Sequence, residues 1–167
     1  QQYSWHIQSY VDDHLLCHHK NWQSDHYEQQ TGAVAEFLGD TIYTLSSEPN
    51  KLIAIDTKEG IDIIIDILTP LVGNQVTLVR SQRDFLEITA PNVSKGRALA
   101  RLALDNNLSF ENIVSFGNAE NDISMLSETG YSVAVSNATE HVKSVANEVC
   151  GHHNEDGVAH WIEKNLL

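Results

Sequence analysis

The chain has 167 residues, a formal net charge of −13 and 41% hydrophobic residues, enough apolar side chain for one ordinary domain or two small ones. A surface this acidic repels nucleic acid and anionic membranes, while small anions remain open as ligands, because a metal ion or one well-placed lysine reverses the field locally. There is no apolar run near the ~20 residues of a membrane span, no signal-peptide pattern, and no disulfide framework in Cys17 and Cys150, which together point to the cytoplasm.

In chain order, HIQSYVDDHLLCHH reads as two strands around an Asp12-Asp13 turn. Residues 24–31 suit a short helix and 33–46 one or two further strands. KLIAID (51–56) is a strand, and 61–72 a helix ended by Gly73. Residues 76–81 and 84–90 pair as a hairpin across Gln82-Arg83, up to Pro91. From there the pattern changes to regular alternation of strand and helix. Ser94 caps a helix running to about Leu108. Then come a strand at 112–116, a helix from about Glu120 to Ser127, a strand at 131–135, a helix at 139–147, a short strand at 148–150 and a closing helix at 156–166. Such alternation predicts a parallel sheet covered by helices. Residues 1–91 are thus expected to form an α+β domain and residues 92–167 an α/β one.

Two segments carry chemistry. In FGNAENDISML (116–126) a strand runs through Gly117 into a helix. That places Asn118, Asn121 and Asp122 at the carboxyl edge of the sheet, where such folds bind ligands. Asn118 and Asp122 lie one turn apart, and oxygen donors so spaced, with substrate phosphate and water, suit Mg²⁺. Helix capping explains the same residues equally well. In VSKGR (93–97), Lys95 at a helix start followed by Gly96 can bring a point charge to a phosphate beside backbone N–H groups. A solvated lysine fits that pattern too.

Taken together, LEITAPNVSKGRAL, ENIVSFGNAENDISML, GYSVAVSNATEHVKSVA and EDGVAHWI closely resemble the C-terminal region of Cof-type phosphatases, subclass IIB of the haloacid dehalogenase superfamily. The likeness covers residues 84–167 in order, and the first 83 match the layout of that family's cap domain. It implies a Rossmann-like core, of which 92–167 is the C-terminal half, with 1–91 as an α+β cap. It further implies a Mg²⁺-dependent phosphatase acting on small phosphorylated metabolites such as sugar phosphates. An aspartate attacks the ester and water hydrolyses the aspartyl-phosphate, while Mg²⁺ and a lysine neutralise the phosphate charge. Carried over residue by residue, Lys95 and Asp122 are the catalytic positions, Lys95 and Asn121 the substrate contacts, and Asn118 and Asp122 the metal positions. Asn137-Ala138 matches a further family pair, with helix capping its simpler role.

Two departures qualify the likeness. No DxDGT-like nucleophile string occurs in the 167 residues, and no candidate exists for the Ser/Thr motif on the family's second core strand. The chain therefore reads as a fragment without turnover of its own, whose open sheet edge could drive self-association. Asn118 stands where the family usually has aspartate, which weakens attraction for Mg²⁺ and raises a rival reading, a non-catalytic phosphometabolite sensor. Of the nine histidines, His14 and His18 could share a strand face and bind a transition metal, though no Cys/His spacing supports a zinc site. Trp22 and Trp161 read as core or staple residues.

Overall fold

The computed structural model describes residues 3–167, and the chain divides into two compact units, Gln1–Pro91 and Asn92–Leu167. In the first, strands β1 (His6–Val11) and β2 (His14–Cys17) form a hairpin. Asp12 and Asp13 both take positive φ, 48° and 66°, as a two-residue hairpin whose twist matches its strands requires. Helix α1 (Trp22–Thr31) starts on a capping box between Asn21 and Ser24 and ends on Gly32 at φ 72°. β3 (Ala35–Phe37) pairs with β2 in parallel. The second strand considered for 33–46 is instead a 3₁₀ turn, Gly39–Thr44. Its Gly39 has φ 56°, which breaks an extended run.

β4 (Lys51–Ile55), α2 (Lys58–Val72), β5 (Thr77–Gln82) and β6 (Phe85–Thr89) complete the unit. α2 starts three residues earlier than its apolar pattern suggests, because the Thr57 hydroxyl accepts from Gly60 N–H. Among the described residues the strand order is β3-β2-β1-β4-β6-β5, with every pair antiparallel except β2–β3. Side chains alternate across the sheet. Ile53 and Ile55 pack with Tyr27 of α1, Leu15, Cys17 and Phe85. Ala54 between them packs with Ile61 and Ile64 of α2, Leu86 and Ile88. The two helices therefore cover opposite faces. Ile61 and Ile64 are fully buried, and each such side chain contributes about 2–3 kcal/mol by leaving water.

The second unit opens with α3 (Lys95–Asp105), capped by the Ser94 hydroxyl. It stops short of Leu108 because Asn106 closes it and Asn107 turns at φ 54°. Strands β7 (Val114–Gly117), β8 (Tyr131–Val135) and β9 (Glu148–Cys150) form a parallel sheet in that order. The helix expected from Glu120 begins as a 3₁₀ turn, Glu120–Asp122, and continues as α4 (Ile123–Leu126). α5 (Glu140–Val145) links β8 to β9, and α6 (Gly157–Asn165) closes the chain. Val133, Val135, Val142, Leu126 and Trp161 form the core of this unit. Trp161 is 8% exposed, whereas Trp22, the first residue of α1, is 53% exposed and packs no core. With the strands parallel, their carboxyl ends lie at one edge, so Asn118, Ser136 and Gly151 follow neighbouring strands there.

Candidate active site

Lys95 is the first residue of α3 and Asp122 the last of the 3₁₀ turn after β7. They are 27 positions apart in sequence, and Lys95 Nζ donates to Asp122 Oδ1 at 2.5 Å. Two close approaches make this possible. Gly96 lies against the backbone of Ser124, so that a Cβ on Gly96 would stand 2.4 Å from Ser124 O. Gly96 N–H also donates to the Ser124 hydroxyl at 3.1 Å. At Gly117 a Cβ would stand 2.6 Å from Asp122 Cβ. Glycine at 96 brings α3 onto α4, and glycine at 117 leaves room for the aspartate beneath the strand end.

Asp122 has a side chain only 5% exposed, and that of Lys95 is 52% exposed. Its second oxygen, Oδ2, accepts from the backbone N–H of Asn118 at 2.8 Å and of Ala119 at 3.1 Å. A buried carboxylate is tolerated when its lone pairs are satisfied in this way, and three donors do so here. The side-chain amides of Asn118 and Asn121 make no hydrogen bond among the described residues. Asn118 is exposed and Asn121 half-buried. The other acid of the loop, Glu120, accepts from Thr139 Oγ1 at 3.2 Å and meets His141 Nδ1 at 2.8 Å. That pairing ties the loop after β7 to the start of α5. Asn137 does not cap α5, which Thr139 does; its amide oxygen accepts from His153 N–H at 3.4 Å.

These donors can be weighed against Mg²⁺, which takes one or two carboxylates with waters and phosphate oxygens. Asn118 could offer one neutral amide oxygen. Asp122 is committed to Lys95 and two amides, and among the described residues no group of three His, Cys, Asp or Glu side chains could hold a metal ion. The residues of this chain do not by themselves fit the ion.

Among the described residues the histidine-rich first unit builds no metal centre either. His14 pairs with Glu36 at 2.6 Å, His18 with Asp40 at 2.9 Å and His26 with Asp84 at 2.6 Å. The Glu36 carboxylate raises the pKa of His14, while burial lowers that of His6. Burial also pushes the Cys17 thiol up to about 11, so it is inert as a nucleophile. A cavity of about 730 Å³ lies in this unit, lined among others by Tyr3, Trp5, His18, His19 and Tyr43. Among the described residues no Lys or Arg lines it, so they offer a phosphate no permanent cation. Sequence reasoning passed over Ser124, Glu120 and His141, whose roles are contacts between segments with no local signal.

The haloacid dehalogenase-like hydrolase family matches residues 1–162. Phosphatase YwpJ of Bacillus subtilis is 42% identical over 95 residues, which are 57% of this chain and 33% of that protein. A chloroplastic endoribonuclease YBEY of Arabidopsis thaliana is 32% identical over 140 residues, 73% of this chain but 24% of that protein. The crystal structure of a HAD/COF-like hydrolase from Plasmodium vivax superposes with a TM-score of 0.86 at 26% identity, over 95% of this chain and 56% of that one. The chain belongs to the haloacid dehalogenase-like hydrolases, of the Cof type. It spans between a quarter and about half the length of the curated relatives it matches.

Proposed function

We propose that the chain is part of a phosphatase that hydrolyses phosphate monoesters of small metabolites, sugar phosphates among them, in the cytoplasm. Residues 92–167 then form the C-terminal half of its core and residues 1–91 most of its cap. The observation that carries the reading is the Lys95–Asp122 pair at the carboxyl edge of a parallel sheet. The ammonium, half exposed and anchored from one side by a buried carboxylate, is free on its other side to take phosphate oxygens. Fixed charge of this kind stabilises a transferring phosphoryl group without reorganisation during the reaction. Asn121, half-buried in the turn that carries Asp122, supplies a neutral donor to the same oxygens. Asp122 acts by holding Lys95 and the Asn118–Ala119 backbone in place. Mg²⁺ dependence, expected of the family, would draw on Asn118 for no more than an amide oxygen.

In the whole protein, Lys95→Ala should lower kcat/KM for a sugar phosphate by about a hundredfold or more, with Lys95→Arg recovering only part. The 167-residue chain, which contains no DxDGT-like string, should release no phosphate from p-nitrophenyl phosphate above background. Full activity of Lys95→Ala would remove the reading. A second reading, a non-catalytic phosphometabolite sensor, is favoured by the neutral Asn118. It requires saturable sugar-phosphate binding by the whole protein with no phosphate release.

A further inference from the structure

We infer that Asn118 is the position that decides whether this sheet edge holds a divalent cation, and that with asparagine there the chain holds none. The argument is one of charge and available lone pairs. Between Asn118 and Asp122 the chain has two acids, Glu120 and Asp122. Asp122 is turned inward, its oxygens taken by Lys95 Nζ, Asn118 N–H and Ala119 N–H. Its charge is cancelled locally by the ammonium 2.5 Å away, which would itself repel a dication. Glu120 is turned toward Thr139 and His141. What remain unpaired in this turn are two neutral amides, that of Asn118, exposed at the strand end, and that of Asn121, half-buried, neither with a hydrogen-bond partner among the described residues. A neutral oxygen can ligate a hard cation but supplies no net attraction, and affinity at oxygen sites follows ligand charge count.

Asn118 is also the residue where one atom changes the outcome. Its backbone is already fixed, because its N–H donates to Asp122 Oδ2 at 2.8 Å. A carboxylate on that backbone would stand at the strand end with its oxygens free. N118D therefore places one uncompensated negative charge there without disturbing the buried pair.

The experiment is a Mg²⁺ titration of the isotopically labelled 167-residue chain, read from the amide NMR signals of Asn118, Ala119, Asn121 and Asp122. The wild-type chain should show no saturable shift up to ~10 mM, the N118A control should behave like it, and N118D should bind about tenfold tighter or better. Because Asn118 is exposed, the variant keeps the fold, which its signals away from the loop report. Saturation of the wild-type chain below that concentration, or an N118D chain that binds no tighter than wild type, overturns the inference. No phosphate release is read, so the result stands apart from the fate of the phosphatase reading.

Discussion

Among the described residues the first unit carries seven ion pairs and the second four, and the two use them differently. In the first, the strands are joined mostly as antiparallel neighbours, and carboxylates meet histidines at exposed or half-exposed positions. The side chains of His14 and Glu36 are 65% and 53% exposed. In the second, the strands are parallel, and one carboxylate is sunk to 5% exposure against a lysine 27 residues away. A hairpin returns the chain to its starting edge, so the polar ends of its strands alternate between two rims. Parallel strands send every carboxyl end to one rim, which gathers Lys95, Asn118 and Asp122 from separate segments. The chemistry follows from that topology more than from the abundance of polar residues, since the histidine-rich unit has many and, among the described residues, groups no three His, Cys, Asp or Glu side chains that could hold a metal ion.

The sharpest way to separate the two is to remove a buried group from each. Ile64→Ala should destabilise the first unit by about 4 kcal/mol through loss of buried area and the cavity left behind. Asp122→Ala should cost the second about 3 kcal/mol, because two backbone N–H groups and an ammonium lose their acceptor. Urea unfolding, followed through amide signals of each unit, measures both. His14→Ala should move neither transition. If it costs as much as Asp122→Ala, the contrast between exposed and buried pairs fails.

A smaller effect tests the close approach itself. Gly96→Ala puts a methyl 2.4 Å from Ser124 O and should destabilise the second unit by about 2 kcal/mol. It should also separate Lys95 from Asp122, seen as a shift of the lysine side-chain NMR signal. An unchanged lysine signal would show that α3 is not what places the ammonium.

The smallest expected effect is a pH dependence of the first unit. Burial, opposed in part by its hydrogen bond with Gln8, lowers the pKa of His6 in the fold below 6.5. The unfolded chain therefore binds a proton that the folded one refuses, and stability falls as the pH drops from 6.5 toward the folded pKa. His14 works in the opposite sense, since its raised value adds stability below pH 6.5 that is lost as the pH climbs through its folded pKa. Being largely exposed, it is screened, so acidification from pH 7 to 5 should weaken the unit on balance. Denaturant midpoints across that range, compared with those of His6→Gln, give the sign. A wild-type midpoint that rises on acidification contradicts it.

The strands of the first unit were legible because alternation and the Asp12-Asp13 turn are local signals, as is the Thr57 or Ser94 hydroxyl ahead of a helix. Within 33–46 the strand Ala35–Phe37 was legible and the segment after it was not, because Gly39 and Asp40 turn an apolar-polar run into a 3₁₀ segment. At the site, Gly117 and the Asn/Asp cluster were readable as a strand end meeting a helix. That Lys95 reaches Asp122 came through the family resemblance, since nothing within either segment points to the other. The commitment of Asp122 to two backbone amides was illegible, because it depends on the exact turn from Asn118 to Asp122. That turn separates a carboxylate that could ligate a metal from one that braces a loop.

The placement of the tryptophans has a practical consequence. Trp5 and Trp22 lie in the first unit, whereas Trp161 is buried in the second, its indole N–H donating to Glu148 at 3.0 Å and its ring stacked on Tyr131. Replacing Trp5 and Trp22 by phenylalanine would leave indole emission from the second unit alone. Fluorescence would then report, without an added dye, whether the half of the chain that carries Lys95 and Asp122 is folded.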